Sequence, residues 1–241
     1  MKFAHLLYAG LILLAISMFA CQTSDLPPAP VKERTYLHVL NAYSGLPDGI
    51  DMRFTYFEKK QLAVDRLRFQ QAWPPSGYAS LLTEVGDSNQ SEVVQVMVDV
   101  LDNPSKEEIF SSFPLDLTAG AKSTVCLIDS FGKPLLVKTI DTPKEYESQT
   151  ANIRFMNLNS TLRSVSLIAK ADTFRIPQLN FLNYSSYELI PAGTYTFYFV
   201  NDFTGNRVDS VKNVSLKSQQ AYSFYLTQQN GFPVGAYEVL E

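Results

Sequence analysis

The sequence predicts an all-β protein: two tandem β-sandwich domains, immunoglobulin-like or transthyretin-like, placed after a signal peptide and a tether. Three observations carry this. Apolar residues recur with period two at Val94, Val96, Val98 and Val100, at Tyr195, Phe197 and Phe199, and at Tyr222, Phe224 and Leu226, the pattern of strands with one buried face. Turn signals such as Pro191-Ala192-Gly193 and Asp202-Phe203-Thr204-Gly205-Asn206 separate the runs at short intervals, and no segment sustains a 3.6-residue period. The second half of the chain also repeats the first, so one module is used twice.

The opening residues set the compartment. Lys2 and His5 precede an almost wholly apolar run from Leu6 to Met18, followed by Phe19, Ala20 and Cys21, the layout of a secretion signal. At about 15 residues the run is shorter than the roughly 20 that cross a bilayer core. Ala20 before Cys21 resembles the lipobox of bacterial lipoproteins, although Met18 and Phe19 are bulkier than is usual there. Residues 1–20 are therefore expected to be a lipoprotein signal peptide and Cys21 the lipidated residue, with plain secretion or an uncleaved anchor as the alternatives. The expected location is the cell envelope, as an outer membrane-anchored lipoprotein facing the periplasm or the surface. Residues 21–34, with three prolines and no apolar period, read as an extended tether.

The repeat fixes the two modules. Leu37, Val39, Leu40 and Asn41 align with Ile153, Phe155, Met156 and Asn157, Tyr78 aligns with Tyr187, Leu127 falls on Leu226, and Pro134 on Pro233. The copies span residues 35–145 and 150–241, and the first carries extra residues near Glu58 to Pro75 and Asp87 to Ser91. Phe197 and Phe224 are expected in the core.

Composition excludes some functions. Loss of Lys2 with the signal moves the net charge from −4 to −5, and the basic residues are scattered, so nothing recruits nucleic acid. With lipid on Cys21, Cys126 has no disulfide partner and is expected to be a covered, inert thiol. No cofactor is expected, because no glycine-rich phosphate loop appears and one thiol and one histidine do not supply a metal site. His38 and its repeat partner Arg154 fall on the polar face of the first strand, opposite Leu37 and Val39, which predicts solvated side chains, against the alternative of His38 as a lone general base. Asp48 and Asp51 lie close together, and Asp99 and Asp102 bracket a strand end, which leaves calcium binding or hydrolase-type acid/base pairing as alternatives, but Ser166 stands where Asp51 aligns, and turn aspartates usually cap their own backbone.

The second copy, with Ile153-Arg154-Phe155-Met156-Asn157, Tyr187-Glu188-Leu189-Ile190-Pro191-Ala192-Gly193-Thr194-Tyr195 and Ala221-Tyr222, resembles a bacterial exported domain known as domain-of-unknown-function family 4397. In the first copy His38-Val39-Leu40-Asn41-Ala42-Tyr43-Ser44 and Gly49-Ile50-Asp51-Met52 resemble the family's start, while Leu82-Thr83-Glu84-Val85-Gly86 departs from its Pro-Ala-Gly turn. The resemblance implies a β-sandwich module, often in tandem, on secreted proteins and lipoproteins, with no catalytic motif to transfer.

The function expected is non-enzymatic: a binding or scaffold module with the membrane as one partner, through its lipid, and a glycan or envelope protein as the other. The alternative is a glycan-binding accessory lipoprotein using the loop Trp73-Pro74-Pro75-Ser76-Gly77-Tyr78, with Trp73 and Tyr78 as ligand-binding residues; the opposing reading is that Trp73 seals one end of the sandwich. Asp209-Ser210-Val211 resembles a short acceptor for O-linked glycans on exported proteins, which would make Ser210 the modified residue.

Overall fold

Strand periodicity is realised throughout the computed structural model, which describes residues 31–46, 48–56, 60–85, 93–103, 108–169 and 174–240. The residues read as signal peptide, the expected lipidation site Cys21 and most of the residues read as tether lie outside them. Among the described residues there is no helix and there are seventeen strands. The first, β1 (Val31–Ala42), begins inside the stretch read as tether, which ends four residues earlier than expected.

In the first module β1 is paired on one side with β4 (Gln71–Trp73) and β5 (Ala79–Val85), both antiparallel, and on the other with β8 (Lys122–Ser130), in parallel; β9 (Lys133–Ile140) completes that sheet. The facing sheet runs β3 (Lys60–Leu67), β2 (Ile50–Tyr56), β6 (Val93–Asn103), β7 (Glu108–Thr118). Leu37, Val39, Val125 and Leu127 meet Met52, Phe54, Val96 and Val98 between the sheets, every one buried.

The second module repeats this plan. One sheet runs β13 (Glu188–Pro191), β10 (Thr150–Asn157), β16 (Ala221–Gln229), β17 (Phe232–Leu240), with β10 and β16 parallel. The other runs β12 (Arg175–Asn180), β11 (Ser164–Ala169), β14 (Gly193–Asn201), β15 (Arg207–Leu216). Phe197 and Phe224 lie in the core as expected, their rings 4.3 Å apart; burial of each such ring contributes about 1.5–3 kcal/mol.

The repeat extends to individual hydrogen bonds. Asn41 donates Nδ2 to the Leu67 carbonyl and accepts from the Tyr43 amide; Asn157 donates to the Leu179 carbonyl and accepts from the Asn159 amide. Each asparagine fastens the end of its central strand to the end of an edge strand of the facing sheet, β3 in the first module and β12 in the second. Strand prolines Pro114, Pro134, Pro177, Pro191 and Pro233 all lie on outer strands, where a missing amide donor blunts the edge against further pairing.

The two modules are packed face to face through the sheets that hold β1 and β10. Leu40, Ala42, Cys126 and Ile128, on the outer face of one sheet, meet Met156, Leu158 and Tyr225 on the outer face of the other. The Thr227 hydroxyl donates across the junction to the Ala42 carbonyl at 2.9 Å. Central strands are thus covered on both faces, a condition that produces continuous apolar runs such as Val125 to Ile128.

Candidate functional site

The polar face of β1 and β10 is where the structure departs most from expectation. His38 and Arg154 are not solvated: each is 1% exposed, because their face of the sheet is closed by the other module. Arg154 pairs with Asp141 at 2.5 Å, with both side chains almost wholly buried. Its Nε donates to Ser223 at 2.7 Å, Nη1 to Thr139 at 3.0 Å and Nη2 to Thr124 at 3.1 Å, and the guanidinium lies 4.9 Å from the Tyr187 ring centroid. Asp141 also accepts from Tyr78 at 2.8 Å and from the hydroxyls of Thr124 and Thr139. Burial pulls the Arg154 guanidinium down, but Asp141 and the two tyrosines more than offset this and keep it charged.

His38 shares this cluster. Burial lowers its pKa, against the opposing pull of its Nδ1 contact with the Gly77 carbonyl at 2.9 Å and of Asp141. Its ring is therefore held neutral, and Nε2 is buried with no hydrogen-bond partner among the described residues. The Asp141 oxygens are committed to Arg154, Tyr78, Thr124 and Thr139 and His38 to a backbone carbonyl, so no histidine–carboxylate pair is assembled. The cluster is an inter-module lock.

The other singled-out residues are placed as follows. Trp73 lies on β4 opposite Val39 and packs, half-buried, against the first core, and the Trp73–Pro74 peptide bond is cis. Its loop lies along the side of the sheet, between two strands that share one edge of β1, and not at an end of the sandwich. Tyr78 is in the lock: its hydroxyl is taken by Asp141 and its ring stands edge-on to His38 at 6.1 Å. Ser210 is half-buried on β15 opposite Tyr198, and its neighbour Asp209 accepts from the Gly235 amide at 2.6 Å. Cys126 is buried in the module junction, and burial pushes its thiol up to about 12.

The aspartates serve the backbone. Asp51 accepts from the Arg66 amide at 2.7 Å, and Ser166 accepts from the Gln178 amide at 3.1 Å; Arg66 and Gln178 have φ of 49° and 47°. Aspartate and serine thus anchor the same bulge in the two copies. Asp99 accepts from Ser112, Asp48 is exposed, and the Asp102 side chain lies outside the described residues. Among the described residues no three His, Cys, Asp or Glu side chains cluster to hold a metal ion.

A surface feature missed in the sequence emerges at one end of the molecule. Thr124, near the start of β8, lies by Arg154 in the middle of β10, and the end of β1 meets the last part of β16 through Ala42 and Thr227. The modules therefore stand side by side and point the same way. Val31, the linker 141–149 and the end of β17 lie at the base. The β8–β9, β14–β15 and β16–β17 turns lie at the opposite end, about 30 Å away for nine-residue strands. Phe131, Phe203 and Phe232, in or beside these three turns, are 76%, 72% and 73% exposed. Ile109, Phe110, Leu182 and Tyr184 are also exposed at this rim. Phe131 adopts φ 53°, where the sister hairpin has Asn230 at φ 52° followed, like Phe131, by glycine. The left-handed region suits asparagine and glycine and penalises a bulky side chain.

No family model matches the chain, and no curated protein matches it. The resemblance to family 4397 thus rests on the quoted residues. Among solved structures, the chain is similar to a carbohydrate-binding module of family 26 from Eubacterium rectale Amy13K, solved with maltoheptaose, at 14% identity over 83% of this chain and 96% of that one, with a TM-score of 0.25. A putative cell adhesion protein from Bacteroides uniformis aligns at 8% identity over 86% and 98%, with a TM-score of 0.28. A C-terminally truncated tip fimbrial protein from Porphyromonas gingivalis aligns at 7% identity over 86% and 99%, with a TM-score of 0.27. At these scores no residue or activity is carried over from them.

Proposed function

We propose that this protein is a non-enzymatic module of the cell envelope, anchored by lipid on Cys21, that holds two sandwiches as one unit and presents its loop rim to a partner. The observation that supports this reading is the placement of the exposed aromatic side chains. Phe131, Phe203 and Phe232 gather at the end opposite Val31, where the chain leads in from its N-terminal segment. A rigid β frame with apolar loop tips away from its tether is suited to binding. The lock formed by Arg154 and Asp141 keeps the rims of both modules in register.

The test has two parts. Radiolabelled palmitate should be incorporated into the wild type and not into Cys21→Ala, and the variant should move from the membrane fraction to the soluble one; labelling of both would refute the anchor. Screening against ester, glycoside and peptide substrates should show no turnover. Turnover that disappears on changing Asp51 would replace the binding reading with a hydrolase. For glycan capture through Trp73, the discriminating result is loss of glycan-array signal on Trp73→Ala with the fold intact.

A further inference from the structure

We propose that the module junction is a proton gate worked from two sides: it is held shut while Nε2 of His38 is bare and the Glu238 carboxyl keeps its proton, and the modules part about the linker at 141–149 when His38 gains a proton or Glu238 loses one. Each sandwich has a core of its own, so the junction can open without opening either core. The Gly77 carbonyl can only accept, so Nδ1 of His38 carries the ring hydrogen and Nε2 the lone pair. Nε2 is buried and has no hydrogen-bond partner among the described residues. A bare lone pair tolerates that burial far better than a positively charged N–H without an acceptor. Glu238, on β17, accepts from the hydroxyl of Tyr225, which is wholly buried in the junction beside Cys126.

Charge inside the closed junction is matched in one protonation state alone. Arg154 of the second module and Asp141 at the end of the first form one buried ion pair, and the Asp141 oxygens also accept from Tyr78, Thr124 and Thr139. Lys122 is exposed and lies 5.2 Å from the Tyr78 ring centroid. Tyr78 and Cys126 on the first module and Tyr187 and Tyr225 on the second are raised by burial, so all four stay neutral. A proton on His38 therefore adds a second cation beside Arg154, and ionised Glu238 adds a second anion; parting the modules returns either to water. The signs are opposite. Burial and Arg154 hold His38 below its ordinary 6.5 in the closed form, against the Gly77 carbonyl and Asp141, so the closed form binds fewer protons there and weakens as pH falls below 6.5. Burial raises Glu238 from 4.5 to about 7, so the closed form binds more protons there and weakens as pH rises from 4.5 through about 7. One proton on either side changes the ratio of open to closed by up to about tenfold per pH unit.

The experiment uses the full chain with Cys21→Ser, spin-labelled at Lys133→Cys and Asn206→Cys, exposed positions at the rims of the two modules; Cys126 is buried and takes no label. Double electron–electron resonance reads the distance between the labels in rising urea at a series of pH values from 8 to 4, with far-ultraviolet circular dichroism on the same samples. A longer distance is expected to appear before the circular dichroism signal is lost, at a urea threshold that depends on pH. With Glu238→Gln only the His38 limb remains, and the threshold should fall as pH drops below 6.5. With His38→Asn, which keeps a donor for the Gly77 carbonyl and binds no proton, only the Glu238 limb remains, and the threshold should fall as pH rises above 4.5. The double variant should be indifferent to pH. A longer distance that appears only as the circular dichroism signal collapses, a single variant whose threshold does not move with pH, or a double variant that keeps both limbs would each overturn the proposal. If His38→Asn does not fold, the Glu238→Gln chain decides: opening must coincide with the titration of the His38 imidazole followed by nuclear magnetic resonance, and a mismatch overturns the gate.

Discussion

Replacing Arg154 with methionine isolates the energetics of the module junction. The substitution keeps an unbranched chain of similar reach but removes the ion pair to Asp141 and the hydrogen bonds to Ser223, Thr139 and Thr124. Asp141 is left as a buried carboxylate. Breaking one side of a buried pair costs about 3–5 kcal/mol, and because Tyr78, Thr124 and Thr139 still donate to Asp141, a loss near 3 kcal/mol is expected. That is a large share of a stability of roughly 5–15 kcal/mol. Urea unfolding followed by two probes provides the assay. The fluorescence of Trp73, the single tryptophan, reports the first module, and far-ultraviolet circular dichroism reports both. Wild-type transitions should coincide, and in Arg154→Met they should separate because the modules have lost part of their common face. A companion Asp141→Asn completes a double-mutant cycle with an expected coupling above about 1 kcal/mol. A loss under about 1 kcal/mol, or additive single effects, would refute the idea that this pair holds the modules together.

Other expectations follow from the same packing. Glu238 is covered beside Tyr225, and burial pushes its carboxyl from 4.5 up to about 7, with the Tyr225 hydrogen bond opposing. The stability this residue allows is fully present below pH 4.5 and is lost as pH rises through about 7. Glu238→Gln should therefore stabilise the protein at pH 8 by on the order of 2 kcal/mol and make no difference at pH 4; chemical denaturation at the two pH values checks this. Cys126, with its thiol raised to about 12 and no exposed surface, should stay unreactive toward a chromogenic disulfide reagent until urea unfolds the chain. In Gly235→Ala the added Cβ would fall 2.0 Å from the Phe199 ring, an overpacking expected to cost about 1–3 kcal/mol and to be partly relieved by Phe199→Leu; thermal unfolding of the single and double variants checks it.

Much of the fold was legible because each sandwich is a local problem. The alternation at Val94 to Val100 and Tyr222 to Leu226 specified strands and their inward faces, and the alignment of Asp51 with Ser166 matched two residues that anchor the same bulge. The faces toward the partner module were not legible by the same rule. A period of two assigns one face to the core and leaves the other to solvent, which put His38 and Arg154 in water. The contrary signal was present in Val125 to Ile128 and Tyr222 to Leu226, where both faces are apolar or neutral and burial on both sides is the physical reason. Asp141, the partner of Arg154, stands alone in the linker and carries no motif. The rim escaped notice because the three phenylalanines are far apart in sequence and become neighbours only when the modules stand parallel. Phe131 in an asparagine-type turn was the one local clue.

The placement of β1 has a mechanical consequence. It is the strand by which the N-terminal segment leads into the folded body, and it is flanked by β5 and β4 on one side and, from Tyr36 onward, by β8 on the other. A pull on Val31 directed away from a load at the rim runs parallel to this strand. The ladder bonds on both sides are then strained in shear and must yield together, whereas a strand peeled from an edge surrenders its bonds one by one. Leu40 and Ala42, keyed into the second module, would pass part of that tension to β10 and β16. A molecule stretched between Val31 and its rim would thus resist extraction through both central sheets.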